Sequence, residues 1–269
     1  MLQSRTLKAS QADWNRALLV SVGQFHPGVP LNQRPGVRRD TTTLHRTLSK
    51  LGFKVELHND LNSEEIYELF LEESRRPVKE CFLAVLSSHG EEDHVFGADG
   101  KPVQLSQIFA YFDNDYMEDK TKLFLVQACR GGDLDDGVEV DSAVNSFSQH
   151  RAVPVDTAVM YATPPGYAAF MNPAGSVFLQ TFCNLLNDEN SQNLELTRLL
   201  TRLSHRVAYT FQAKGGGLAG KKEMPCFMTR MTREVFPFVK TENEGGVSGI
   251  SATSLVGPKK VRTRTPSIS

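Results

Sequence analysis

The 269-residue sequence lacks several features that define broad classes of protein. Its longest apolar runs, such as residues 82–86 and 123–126, are far shorter than the roughly 20 apolar residues that a membrane-spanning helix needs. The N-terminus has no apolar stretch ending in a small-residue cleavage site, so we do not expect secretion. Basic and acidic residues number 30 and 31, so no excess charge indicates a nucleic-acid or membrane partner.

Cysteine is also scarce. The four cysteines are widely spaced and contain no CxxC pair, which argues against a disulfide framework and against a zinc-binding pattern. We therefore expect free thiols and a cytoplasmic location.

What the sequence does contain is an alternation of short apolar runs with segments of helical period. We predict strands at residues 17–22, 54–57, 81–86, 123–127, 157–162 and 226–235. We predict a hairpin at residues 95–103 and helices around residues 44–51, 63–70, 106–112, 177–186 and 196–211. Strands without polar alternation, separated by helices, favour an α/β sheet that is covered on both faces.

Two reactive side chains follow two of these strands. His89 lies just beyond the predicted strand 81–86, and Cys129 lies just beyond the predicted strand 123–127. Ligands of open α/β sheets bind beyond the carboxyl ends of the strands, which is where both residues are expected. A cysteine nucleophile needs a base, which His89 would supply, and donors for an oxyanion, for which the Gly90 and Cys129 amides are candidates. From spacing alone, structural roles are the preferred reading of both residues. Their shared placement at strand ends brings the catalytic reading about level with the structural one.

Several motifs resemble the caspase family of cysteine peptidases. They are Gln127-Ala128-Cys129-Arg130-Gly131, Ser87-Ser88-His89-Gly90, Ala162-Thr163-Pro164-Pro165-Gly166-Tyr167 and Met224-Pro225-Cys226. The resemblance runs from about residue 17 to residue 238. It implies a three-layer α/β/α sandwich around a mixed, roughly six-stranded sheet, without cofactor or metal. Residues 1–16 would form a short N-terminal peptide of the executioner type, and residues 239–269 a disordered basic tail.

The resemblance also implies a pocket for aspartate at P1, the substrate residue whose carbonyl group is attacked. By position, Arg34 and Gln127 correspond to pocket residues, because a guanidinium fork suits a carboxylate. Without the resemblance, Arg34 is read more simply as a solvated loop arginine. Met171 stands where a second arginine is expected, and Phe170 beside it retains an aromatic ring. We therefore expect a weakened preference for aspartate.

The polar segment between residues 131 and 154 resembles the linker between caspase subunits. Cleavage after Asp141 would give a large subunit with His89 and Cys129 and a small subunit from Ser142. Asp135 and Asp136 are less favoured cleavage sites, and an acidic surface loop is the alternative reading.

The resemblance implies two functions that differ in class. The first is an endopeptidase that cleaves proteins after aspartate in apoptosis or related signalling, and that acts as a homodimer of processed units. Its partners would be protein substrates, other caspases or caspase inhibitors. The second is a catalytically weak homologue that regulates other caspases, favoured by Met171 and by the glycine-rich loop 214–221.

Overall fold

The computed structural model describes residues 13–134, 153–214 and 216–239. In chain order, its strands are β1 (Arg16–Ser21), β2 (Lys54–Asn59), β3 (Cys81–Ser87), β4 (Gly90–Glu91), β5 (His94–Phe96), β6 (Pro102–Gln104), β7 (Thr121–Gln127), β8 (Thr157–Tyr161), β9 (Met171–Asn172), β10 (Gly175–Ser176) and β11 (Cys226–Thr229). Its helices are α1 (Val37–Lys50), α2 (Ser63–Glu73), α3 (Leu105–Ala110), α4 (Val177–Leu186), α5 (Glu189–Gln192) and α6 (Leu196–Thr210).

Six strands form the central sheet, in the order β2–β1–β3–β7–β8–β11. The first five run parallel, and β11 joins the edge of the sheet antiparallel to β8. The prediction of a mixed, six-stranded sheet is therefore confirmed.

Both faces of this sheet are buried, which explains why its strands show no polar alternation. In β3, Leu83 and Val85 belong to a core shared with α1, α4 and α6, whereas Phe82 and Ala84 belong to a second core shared with α2 and α3. Because side chains alternate across a strand, two helical layers require apolar residues at successive positions. The three-layer α/β/α arrangement is confirmed.

The predicted hairpin at residues 95–103 is confirmed as the antiparallel pair β5 and β6, with Gly100 in a left-handed conformation (φ 72°) at its turn. The prediction of a last strand over residues 226–235 is wrong beyond Thr229. Strand β8 begins at Thr157, so β11 runs out of partners there. The Asp156 carboxylate then accepts hydrogen bonds from the Thr232 amide (3.0 Å) and hydroxyl (2.7 Å), which turns the chain away from the sheet.

Some predictions concern residues outside the described part of the chain. These are the N-terminal peptide up to residue 12, the cleavage site at Asp141 with its alternatives Asp135 and Asp136, and the tail from residue 240. Within the described ranges, no helix combines the length and the apolar character needed to cross a bilayer.

Candidate active site

The two reactive residues meet because β3 and β7 are adjacent and in register. Ser87 and Gln127, the last residues of these strands, lie opposite one another in the parallel ladder. His89 and Cys129 each follow two residues later, so both project from the same edge of the sheet. They line one cleft of about 210 Å³. Its other lining residues are Gln33, Arg34, Pro35, Ser88, Gln127, Ala128, Ala169 and Met171.

The His89 ring is oriented by a backbone carbonyl. Its Nε2 lies 2.7 Å from the Asn32 carbonyl oxygen. The centroids of the Phe25 and His89 rings are 5.4 Å apart. A carbonyl oxygen only accepts, so Nε2 carries the proton and Nδ1 is left for proton exchange. Burial lowers the pKa of His89, the charge of Arg34 lowers it further, and the Asn32 hydrogen bond opposes both. His89 is therefore a neutral base at pH 7.

The Cys129 sulfur is half-buried at the cleft and contacts the segment that follows β8. The Ala169 amide donates to Sγ across 3.4 Å. The fully buried thiols of Cys81 and Cys183 contrast with it, because burial raises the pKa of each to about 12. Those two thiols are unreactive at neutral pH.

Gly90 brings the two strand ends into close contact. A Cβ at this position would lie 2.7 Å from the His94 carbonyl oxygen and 3.0 Å from that of Cys129. The Phe96 amide donates to the His89 carbonyl oxygen across 3.0 Å, which makes Gly90 and Val95 a non-hydrogen-bonded pair of the β4–β5 ladder. The Gly90 N–H is therefore not used by the ladder and remains a donor for a ligand.

The loop that carries Cys129 is held by its arginine neighbour. Arg130 forms a partly buried ion pair with Glu92 (2.6 Å), and its guanidinium lies 4.0 Å from the centroid of the Tyr161 ring. Its backbone amide donates to the Tyr167 carbonyl (2.9 Å). These contacts tie the loop after β7 to the segment that leads to Met171.

Arg34 places a buried positive charge in the cleft. Only 8% of the residue is exposed, so the interpretation as a solvated loop arginine is wrong. Its guanidinium donates to the Val22 carbonyl (2.7 Å), the Ser87 hydroxyl (3.0 Å) and the Gln127 carbonyl (3.4 Å), all of them uncharged. Within the described ranges no carboxylate forms a direct ion pair with it. Burial lowers its pKa to about 10, and the charge of the nearby Asp40 carboxylate opposes that shift. A cleft with a buried cation that has no directly paired carboxylate favours an anionic ligand.

Comparison with known proteins agrees with this arrangement. The protein-family sequence model of the caspase domain matches residues 15–236. Caspase-3 of Bos taurus is 34% identical over 239 residues, which is 85% of this chain and 86% of that protein. Caspase-3 of Mesocricetus auratus is 34% identical over 229 residues, which is 81% of this chain and 82% of that protein. The chain belongs to the caspase family. It is a caspase-like cysteine endopeptidase.

The remaining residues predicted for the caspase pocket are partly brought together. Gln127 is buried, and Met171, at the start of β9, lines the cleft beside Arg34. Phe170 does not line it: its ring packs on Phe211 at 5.2 Å, and its amide donates to Glu223 Oε2 across 2.6 Å.

Two contributors to the site were missed by the sequence analysis. Asn32 acts through its backbone carbonyl, so its side-chain identity carries no signal. Glu223 precedes the Met224-Pro225-Cys226 motif, but nothing in the sequence distinguishes it from a solvated glutamate.

Proposed function

We propose that this caspase cleaves proteins on the carboxyl side of aspartate, with Cys129 as nucleophile and His89 as general base and acid. The observation that carries the proposal is one cleft that holds a thiol, a neutral imidazole and the buried Arg34 guanidinium. Each group has a task in hydrolysis of an aspartyl peptide bond.

The proposed reaction begins when His89 Nδ1 accepts the thiol proton and Cys129 Sγ attacks the scissile carbonyl carbon. The oxyanion that forms accepts hydrogen bonds from the Gly90 and Cys129 amides. His89 then protonates the leaving amine, and the C–N bond breaks to leave a thioester. Water, deprotonated by His89, hydrolyses the thioester and releases Cys129.

In this proposal the P1 carboxylate binds to Arg34, with Gln127 beside it. Met171 also lines the cleft and offers only an apolar thioether. With one guanidinium instead of two, the pocket still selects an acidic P1 residue, but less strictly.

We also propose cleavage after Asp141 as the activating step, in the cytoplasm and in an apoptotic or related signalling pathway. Processed units would then pair through β11. Among the described residues this strand lies at the edge of the sheet and has β8 as its one strand partner, so its other side offers backbone groups to which a second copy would bind. No cofactor or metal takes part.

The test compares the wild-type chain with Cys129→Ala. We expect the wild type to cleave itself at Asp141 and to hydrolyse peptides with aspartate at P1, and the variant to do neither. Cys81→Ala is the matched control, because it removes a buried thiol at the opposite end of β3. A wild-type chain that hydrolyses no aspartyl peptide even after it has been cut at Asp141 and has dimerised would refute the proposal.

The same experiment tests a regulatory homologue that binds other caspases. The observation that favours this alternative is Met171 in the cleft, where a second charge is absent. Its expected signature is an inert wild-type chain that changes the activity of an active caspase when mixed with it, and does so equally well as Cys129→Ala.

A further inference from the structure

Glu223 is a buried acid whose surroundings are unusual for a carboxyl group. Its exposed fraction is 1%. Its Oε2 accepts the Phe170 amide hydrogen across 2.6 Å, and its Oε1 is buried with no hydrogen-bond partner among the residues that the structure describes. Burial raises the pKa of Glu223 to about 8, while the Phe170 hydrogen bond opposes that shift. At neutral pH the carboxyl group is therefore mostly protonated and uncharged.

Phe170, which Glu223 contacts, lies in the middle of a segment that touches the nucleophile on one side and lines the cleft on the other. Ala169 donates its amide hydrogen to Cys129 Sγ across 3.4 Å. The Phe170 ring packs on Phe211, and Met171 forms a wall of the cleft. A displacement of the Phe170 amide would therefore move both the contact with the nucleophile and the wall of the pocket.

Glu223 is itself held close to the central sheet. Glu223 lies three residues before Cys226, which pairs with Tyr161 in the β11–β8 ladder. The hydrogen bond between Glu223 and Phe170 therefore fixes the segment beside Cys129 relative to the edge of the sheet.

We propose that Glu223 is a positioning residue that holds the segment Ala169–Met171 against Cys129 through the Phe170 amide. This inference rests on the proposed protease function, whose catalytic steps it leaves unchanged. The titratable groups around the carboxyl group are the Cys129 thiol, beyond Ala169, and the Lys222 ammonium, whose Nζ donates to the Phe211 carbonyl (3.1 Å). His89 lies across the cleft from Ala169.

The test uses two substitutions in the full chain. Glu223→Gln keeps an oxygen acceptor for Phe170 and cannot ionise, whereas Glu223→Ala removes the acceptor. We expect Glu223→Ala to lower kcat/KM for peptides with aspartate at P1 by about 10- to 100-fold, the cost of an unpaired amide in a buried site. Glu223→Gln should match the wild type at pH 6 to 7. Glu234→Gln, at an exposed glutamate, is the control for the chemical change.

A pH profile separates positioning from mere stabilisation. Above a pH of about 8 the wild-type carboxyl group ionises in a buried position, and the segment is expected to shift. The ratio of wild-type to Glu223→Gln kcat/KM should therefore fall on the alkaline side. A flat ratio from pH 6 to 9.5 would overturn the proposal, even where Glu223→Ala fails to fold.

A second readout does not depend on protease activity. Alkylation of Cys129 by iodoacetamide at pH 7, followed by peptide mass spectrometry, reports the contact with Ala169 directly. We expect Glu223→Ala to change the rate by about 5-fold or more and Glu223→Gln to leave it unchanged. A wild-type chain that cleaves no aspartyl peptide but shows this pattern would refute the protease function and keep the role of Glu223. Equal alkylation rates in a folded Glu223→Ala would refute that role.

Discussion

Replacement of Met171 by arginine should strengthen the preference for aspartate at P1. Met171 lines the cleft together with Arg34 and Gln127, and it is the lining residue that stands where a second guanidinium is expected. Its Cγ lies 2.7 Å from where a Cβ on Gly36 would stand, so the space around the first part of the side chain is narrow. Arginine fits that space because its stem is unbranched, as that of methionine is.

The magnitude follows from the hydrogen bond that a second guanidinium would donate to the substrate carboxylate. A hydrogen bond to a charged group contributes about 1.5–3 kcal/mol, so this one interaction should raise kcat/KM about 10- to 100-fold. A second cation close to Arg34 destabilises the free enzyme, because like charges repel. We therefore also expect a lower melting temperature without ligand, which an aspartyl inhibitor should restore.

The assay compares peptides that differ only in aspartate or asparagine at P1. The gain should be confined to aspartate, since asparagine has the same shape but no charge. Met171→Leu is the matched control: it changes the side chain without adding a donor. If Met171→Arg improved both peptides equally, or neither, our placement of Met171 in the P1 pocket would be wrong.

Three further predictions concern pH and stability. The neutral form of His89 is the reactive one, and burial lowers the pKa of His89. The value of kcat/KM should therefore fall on acidification with an apparent pKa below the ordinary 6.5. A fall in kcat/KM centred at a higher pH would contradict the role of His89 as the base. Glu73→Ala should lower the free energy of unfolding, measured in urea, by about 3–5 kcal/mol, because it leaves the buried Arg16 guanidinium without its ion pair. Glu68→Ala, on the exposed face of α2, is the control and should change that free energy little. Phe182→Ala should lower the free energy of unfolding by about 3–5 kcal/mol, since the ring is fully buried in the core between α4 and the sheet. A loss below about 1 kcal/mol would show that this core is loosely packed.

The position of the candidate site was predictable because it depends on strand ends. Residues 81–86 and 123–127 are continuous apolar runs, and in a parallel sheet the ends of adjacent strands lie at one edge. That argument requires only the order and polarity of the strands, which the pattern of residues supplies. It therefore placed His89 and Cys129 in one cleft.

The end of the last strand was not predictable in the same way. Residues 226–235 contain Phe227 and Val235, whose apolar side chains are compatible with a longer strand. The limit is imposed by the partner, because β8 begins at Thr157 and Asp156 binds the backbone that follows. A strand boundary that depends on the length of another strand has no local signal.

The supporting contacts of the site were hidden for a different reason. The Asn32 carbonyl is a backbone group that every residue has, and its role depends on where the loop before α1 runs. The buried state of Glu223 depends on the packing of two loops that are separated by about 50 positions in the chain. Propensity and period describe neighbours in sequence, so they do not detect such pairs.

The distribution of the site along the chain bears on the proposed cleavage after Asp141. Arg34, His89 and Cys129 precede that bond, whereas the segment Ala169–Met171 and Glu223 follow it. The two parts are joined by the parallel ladder of β7 and β8, which pairs Lys122 with Thr157 and continues to Val126 and Tyr161. Cleavage after Asp141 would therefore not separate the nucleophile from its pocket. Its effect would be to release the chain ends on either side of the bond, so the catalytic difference between cut and uncut protein should lie in the loops that border Cys129 and not in the sheet.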